Sequence, residues 1–196
     1  MVVDVAKREI NVKIVYYGPA VSGKTTNLII IHKKLKPEHK GDLVSIDTKG
    51  ERTLFFDFLP VEVPIGGGFK VRFHLYTVPG QYFYKTSRKL VLKGADGIVF
   101  VADSQRSRAE ENKIIFQEME EFLAEQGLSL DQIPIVLQYN KRDLGDIMTV
   151  EELNMLLNQR GFPYVESVAA QGKGVFETLD LISKLVLKSV LQKAKV

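Results

Sequence analysis

Nine consecutive residues, "GPAVSGKTT", carry the first recognisable chemistry of this 196-residue chain. Gly18, Pro19, Ala20, Val21, Ser22, Gly23, Lys24, Thr25 and Thr26 fit the pattern G-x-x-x-x-G-K-[ST]. Its glycines let backbone N–H groups close round an anion, and a helix starting beside the lysine adds the positive end of its dipole. The pattern predicts a phosphate site in which Lys24 reaches β- and γ-phosphates and the Thr25 hydroxyl ligates Mg2+. A chance glycine turn is the alternative, but it would not need a strand before the loop and a helix after it. Two more stretches follow apolar runs in the same way: "TVPGQ" (Thr77–Gln81) and "NKRD" (Asn140–Asp143).

These loops need elements to hold them. "INVKIVYYG" (Ile10–Gly18) reads as a buried strand and Lys24–Leu35 as a helix. "TLFFDFLPVEV" and "FKVRFHLYTV" read as two strands joined by the turn-like "PIGGG". Asp96–Asp103 and Ile133–Asn140 are apolar enough for buried strands. Between them, Ile115, Met119, Phe122 and Leu123 form a helical stripe. Thr149 and Glu152 make a capping-box pattern ahead of a helix that stops by Gly161. "PYVESV" predicts a short strand, and a final helix runs from about Val175 to Leu191. Strands alternating with helices predict one α/β domain over residues 1–196. Its mostly parallel sheet carries ligands beyond the carboxyl ends of the strands.

Bulk composition excludes several functions. The net charge is +3, too small to indicate a nucleic-acid surface. The chain has no cysteine, which removes disulfides, thiolate metal sites, thiol nucleophiles and cysteine-linked lipid anchors. No signal peptide and no membrane span are expected, since no apolar stretch reaches 18 residues. Lys184, Lys188 and Lys195 share one face of the final helix; a solvated charged face is favoured over a lipid or effector contact.

Together, Gly18–Thr25, Gly80–Gln81, Asn140–Asp143 and Val168–Ala169 resemble the motifs of Ras-superfamily small GTPases. "REINVKIVYYGP", "ERTLFFDFLP", "RFHLYTVPGQ" and "YNKRDL" resemble the bacterial MglA-type group, which sets cell polarity and gliding motility. The resemblance covers nearly the whole chain. It implies a P-loop NTPase small G-domain: a six-stranded, mostly parallel sheet, second strand antiparallel, with helices on both faces. It also implies a GTP/GDP switch, cytoplasmic and recruited to poles or the inner membrane surface through partners. A monomer is expected, with effectors at its switch loops and hydrolysis stimulated by a small Roadblock-type homodimer.

The resemblance also assigns residues. Asp143 would accept from guanine N1–H and the exocyclic amine, which disfavours adenine because a carboxylate cannot donate. Asn140 would tie this loop to the phosphate loop, the Lys141 stem would cover the base, and the Ala169 N–H, next to Val168, would meet guanine O6. Gly80 would sense the γ-phosphate and Gln81 would orient the attacking water. Thr53 would complete the Mg2+ shell, and Arg52 would act as an arginine finger in cis. The glycines Gly66–Gly68 would absorb a register shift between the two hairpin strands. The chain departs from the usual pattern at Ala20, where glycine is common, and at Thr77, where most relatives have the aspartate of Asp-x-x-Gly. Asp57 is a candidate replacement for that carboxylate; an outward-facing edge-strand residue is an equal reading of it. A P-loop ATPase or kinase, which would need no "NKRD" loop, and a nucleotide-binding pseudo-GTPase scaffold are the competing functions.

Overall fold

A computed structural model describes residues 2–4, 6–47, 55–81 and 84–193. The elements run β1 (Val2–Asp4), β2 (Glu9–Tyr17), α1 (Lys24–Lys34), β3 (Val44–Asp47), β4 (Phe55–Pro64), β5 (Lys70–Thr77), α2 (Lys85–Leu92), β6 (Gly97–Asp103), α3 (Ala109–Glu125), β7 (Ile135–Asn140), α4 (Val150–Leu157), β8 (Tyr164–Glu166) and α5 (Val175–Lys193). Among the described residues the sheet has eight strands in the order β3-β4-β5-β2-β6-β7-β8, with β1 paired to β2. That is two more than the six expected from sequence. β1 forms an antiparallel hairpin with β2, and β3 adds an antiparallel edge to β4. Both extra strands are short and lack an apolar alternation long enough to read. The antiparallel second strand of the expected six stands as β4, which opposes β5, while β5, β2, β6, β7 and β8 run parallel.

Burial on both faces explains the continuous apolar strands. Along β2, Val15 and Tyr17 face one core while Val12, Ile14 and Tyr16 face the other. The first core receives Leu92 of α2, Met119 and Phe122 of α3, and Leu153 of α4. The second receives Leu28 and Ile31 of α1, and Ile182 and Val186 of α5. Gly97 opens β6 because α5 lies directly on it; a Cβ there would fall 2.4 Å from Val186 Cγ2. One buried polar cluster crosses the second layer. Asn27 of α1 exchanges hydrogen bonds with Gln138 of β7 (2.8 and 3.0 Å), and Gln138 donates to Thr178 of α5 (2.9 Å).

Local signals set the helix ends. The Thr149–Glu152 capping box opens α4 as expected, with both reciprocal hydrogen bonds formed. The helix closes at Leu157, four residues before Gly161, which takes φ 73° in the following turn. The "PIGGG" segment does turn β4 into β5, with Gly67 and Gly68 at φ 76° and 74°. Among the described residues no helix is long and apolar enough to cross a membrane.

Candidate nucleotide site

The chemistry-bearing loops all leave the carboxyl ends of strands. β2 feeds Gly18, β5 ends at Thr77, β6 at Asp103 and β7 at Asn140. The phosphate loop is tightly built. Gly18 takes φ 141°, and a Cβ on it would fall 2.3 Å from the Val101 carbonyl oxygen. Gly23 takes φ 108°, and its Cβ would strike Asn140 Nδ2 at 2.2 Å. Val21 is a β-branched residue at φ 61°, 80% exposed. Such a conformation costs free energy and is held only where the surroundings demand it. Here it shapes the anion-binding curve of the loop.

Lys24 opens α1 and is almost fully buried. Its Nζ donates to the Gly18 and Pro19 carbonyls at 2.9 and 2.6 Å. Burial, then the positive charge of Arg88, lower its pKa to about 7. An anion bound in the loop would supply the counter-charge that this buried ammonium needs.

Next to Lys24 lies a compact hydroxyl–carboxylate cluster. Asp57 of β4 is 9% exposed and points inward, not out from a sheet edge. Its Oδ2 accepts from Thr25 Oγ1 at 2.5 Å and from Thr77 Oγ1 at 2.9 Å. Its Oδ1 accepts from Ser45 Oγ at 2.7 Å, and its own N–H donates back to Thr77 Oγ1 at 2.8 Å. These residues share a cleft of about 430 Å³ with Gly23, Lys24 and Gly80, and among the described residues Asp57 is the one acidic side chain that lines it. Thr77 thus occupies the expected place at the end of β5 and delivers its hydroxyl to a neighbouring carboxylate.

Gly80 lies flat on the phosphate loop. A Cβ at Gly80 would fall 2.3 Å from Ala20 Cα and 2.6 Å from Ala20 N, so this contact excludes any side chain. Gln81 follows with its side chain exposed. Arg52 and Thr53 lie outside the described residues.

The "NKRD" loop is locked to the phosphate loop through Asn140. Its Nδ2 donates to Ser22 O at 2.7 Å, while its Oδ1 accepts from Ser167 Oγ (3.0 Å) and Ala169 N (2.9 Å). The Ala169 N–H, expected to face a base, therefore donates to Asn140 here. Val168 is buried behind it, and Ser167 supplies the side-chain support that the valine cannot. Lys141 takes φ 66° and its Nζ donates to Asp103 Oδ2 at 2.6 Å. Asp143 is exposed. Asp103 and Ser167 were not singled out by sequence, although a charged residue ending the buried run "DGIVFVAD" was a usable signal. Arg108 was missed too; its Nη2 donates to Ala20 O at 2.9 Å, and nothing local in its sequence marks that reach.

Residues 1–186 match the ADP-ribosylation factor family. The chain belongs to that family. It is a GTPase domain of the Arf/Ras superfamily, of the MglA type. It is 56% identical over 185 residues to the Mutual gliding-motility protein MglA of Myxococcus xanthus, covering 94% of this chain and 95% of that protein. It is 27% identical to human ADP-ribosylation factor-like protein 4A over 182 residues, covering 89% of this chain and 83% of that one. It is 29% identical over 144 residues to the uncharacterized protein MJ1339 of Methanocaldococcus jannaschii, covering 73% and 78%. Membership implies guanine-nucleotide binding, and in this chain Asn140 joins the "NKRD" loop to the phosphate loop.

Proposed function

We propose that this chain is an MglA-type molecular switch that binds GTP, hydrolyses it to GDP, and returns slowly to rest unless a Roadblock-type homodimer stimulates it. The observation that carries the reading is Asn140. One side chain joins the phosphate loop to the base loop, so a nucleotide must engage both ends of the site together. Asp143 then selects guanine: an adenine would face a carboxylate with nothing to donate from its N1 position. Gln81 orients the attacking water, Gly80 senses the γ-phosphate and Lys24 stabilises charge on the phosphates. Arg52 and Thr53 enter by resemblance, as finger and loop anchor. Similarity to the Myxococcus protein, which its name ties to gliding motility, supports a role in motility; a role in cell polarity and a cytoplasmic site of action belong to the same reading.

The residues also fit a magnesium ion. Mg2+ takes hard oxygen ligands and is held by one or two carboxylates or hydroxyls plus substrate phosphates. Thr25 and Asp57 offer that set side by side, with Thr77 fixing the Asp57 carboxylate. Bound there, the ion would neutralise charge developing between the β- and γ-phosphates. Asp57 thereby supplies the negative charge that Thr77 lacks.

Competition of GTP, GDP and ATP for a fluorescent GDP analogue, followed by single-turnover GTP hydrolysis with and without a Roadblock homodimer, tests the switch. Preference for ATP, or no turnover in either condition, refutes it. For the metal, GDP release is followed against Mg2+ concentration. Asp57→Ala should need at least tenfold more Mg2+ for the same retention, and wild-type retention would remove Asp57 from the role.

A further inference from the structure

We infer that Arg88 is a positioning residue for the hydrolytic loop: held by Glu118, its guanidinium fixes the Pro79 and Gln81 carbonyls and ties them to the root of the phosphate loop. This rests on the reading of Gln81 as the residue that orients water.

Arg88 lies on α2 and is completely buried, the largest such side chain among the described residues. Its Nε and Nη2 donate to the two carboxylate oxygens of Glu118 on α3, at 2.6 and 2.9 Å. Its Nη1 points the other way. It donates to Gln81 O at 2.6 Å and to Pro79 O at 3.3 Å. Glu118 Oε1 also accepts from Tyr17 Oη at 2.8 Å. Tyr17 is the last residue of β2, directly before Gly18. A continuous polar chain therefore runs from the base of the phosphate loop, through Glu118 and Arg88, to the backbone on both sides of Gly80.

Holding α2 against α3 does not require this pair. Val91, Leu92, Met119 and Phe122 share one apolar core there, and Lys85–Glu121 and Lys89–Glu125 pair at the rim. A buried ion pair is also poor glue, because desolvation offsets its attraction, and apolar residues of similar volume often serve as well. What apolar residues cannot do is donate to carbonyls. The guanidinium fork can grip a carboxylate with one edge and the loop with the other; a lysine, with one ammonium, cannot span both. The Gln81 carbonyl also accepts from Tyr84 N at 3.1 Å, so the first turn into α2 and the Arg88 grip converge on one oxygen.

The test uses the full chain in two variants. The triple change Tyr17→Phe, Arg88→Met and Glu118→Met removes every member of the chain and leaves no orphaned charge. Arg88→Lys keeps the charge and loses the span. Three quantities are measured: amide hydrogen exchange at Val78, Gly80 and Gln81 with a non-hydrolysable GTP analogue and Mg2+, single-turnover GTP hydrolysis, and GDP affinity. Losing the charge-assisted hydrogen bonds to the Gln81 and Pro79 carbonyls predicts roughly tenfold or more faster exchange at Gly80 and Gln81, and hydrolysis slower by about 10- to 100-fold. GDP affinity should stay within about threefold, since the base loop is untouched. Unchanged exchange at Gly80 and Gln81 in a folded variant overturns the inference. So does a loss of GDP affinity equal to the loss of hydrolysis, which would mark a merely structural pair. Should the triple variant not fold, Arg88→Lys decides alone. Should the wild-type chain turn over no GTP, the Gln81 reading fails while the clamp is still judged by exchange.

Discussion

Gly80→Ala is the sharpest perturbation that the site offers. The added Cβ would sit 2.3 Å from Ala20 Cα, 2.6 Å from Ala20 N and 2.9 Å from Pro19 C. All three are backbone atoms of the phosphate loop, and none can rotate away. Ordinary carbon contacts begin near 3.5 Å, so the two loops must part by about 1 Å. Overpacking of this kind costs about 1–3 kcal/mol, which the fold can absorb. Catalysis is less tolerant: a displacement of about 1 Å at a positioned group costs on the order of 100-fold in rate. GDP binding should change less than hydrolysis, because the clash falls on Ala20 and Pro19 and not on the Asn140 bonds to Ser22, Ser167 and Ala169. Single-turnover GTP hydrolysis and GDP dissociation, measured side by side, separate these effects. Hydrolysis within threefold of wild type in Gly80→Ala would show that the contact between Gly80 and the phosphate loop is not part of the working site. Equal losses in binding and hydrolysis would show that the damage had spread to the whole loop.

Asn140→Ala removes one hydrogen bond to the phosphate loop, at Ser22 O, and two from the Ser167–Ala169 segment; at about 1 kcal/mol each, GDP release should accelerate by roughly 100-fold, as read by fluorescent-nucleotide dissociation. Gln138→Leu leaves Asn27 and Thr178 without their buried partner, and urea denaturation should show a loss of about 1–3 kcal/mol; no loss would mean that the cluster is not a structural element. His74 is half-buried beside Asn11, with Arg72 near it. Burial first, then the Arg72 charge, lower its pKa below the usual 6.5. The folded state therefore favours the neutral ring, and the stability it contributes is lost as pH falls through 6.5 toward the lowered value. Titration of the His74 ring signals by NMR should give a midpoint below 6.5; one above it would reverse the sign.

Motif loops were the most legible part of the sequence, because each is a fixed chemical demand on a few adjacent residues. The Gly18–Thr26 loop, the Thr77 position and the Asn140 lock all stand at the strand ends to which they were assigned. The alternation of strands and helices was legible because strands buried on both faces have few polar breaks. Less local features were hidden. The inward turn of Asp57 depends on the pairing of β4 with both β3 and β5, which places Ser45 and Thr77 on either side of it. A lone charge in "LFFDFLP" says nothing of that. Arg88 and Glu118 stand 30 positions apart on helices whose charges look like ordinary solvated faces; only the packing of α2 on α3 buries them. The Arg108 contact with Ala20 spans 88 positions and is made from the short turn Arg106–Arg108 between β6 and α3.

The seating of α5 on β6 has a consequence for synthesis. A ribosome releases β2, α1 and β6 well before it releases Val175–Lys193, yet the helix formed by that segment covers the face of β6 shared with α1. Until it emerges, Val99 and Val101 lack part of their apolar cover, and Gln138 lacks Thr178. The phosphate and base loops are already complete in sequence by then, so a nascent chain can meet nucleotide before its sheet is covered. Guanine nucleotide present during translation would then act as a folding template, and depletion of it should slow maturation more than it destabilises the finished protein.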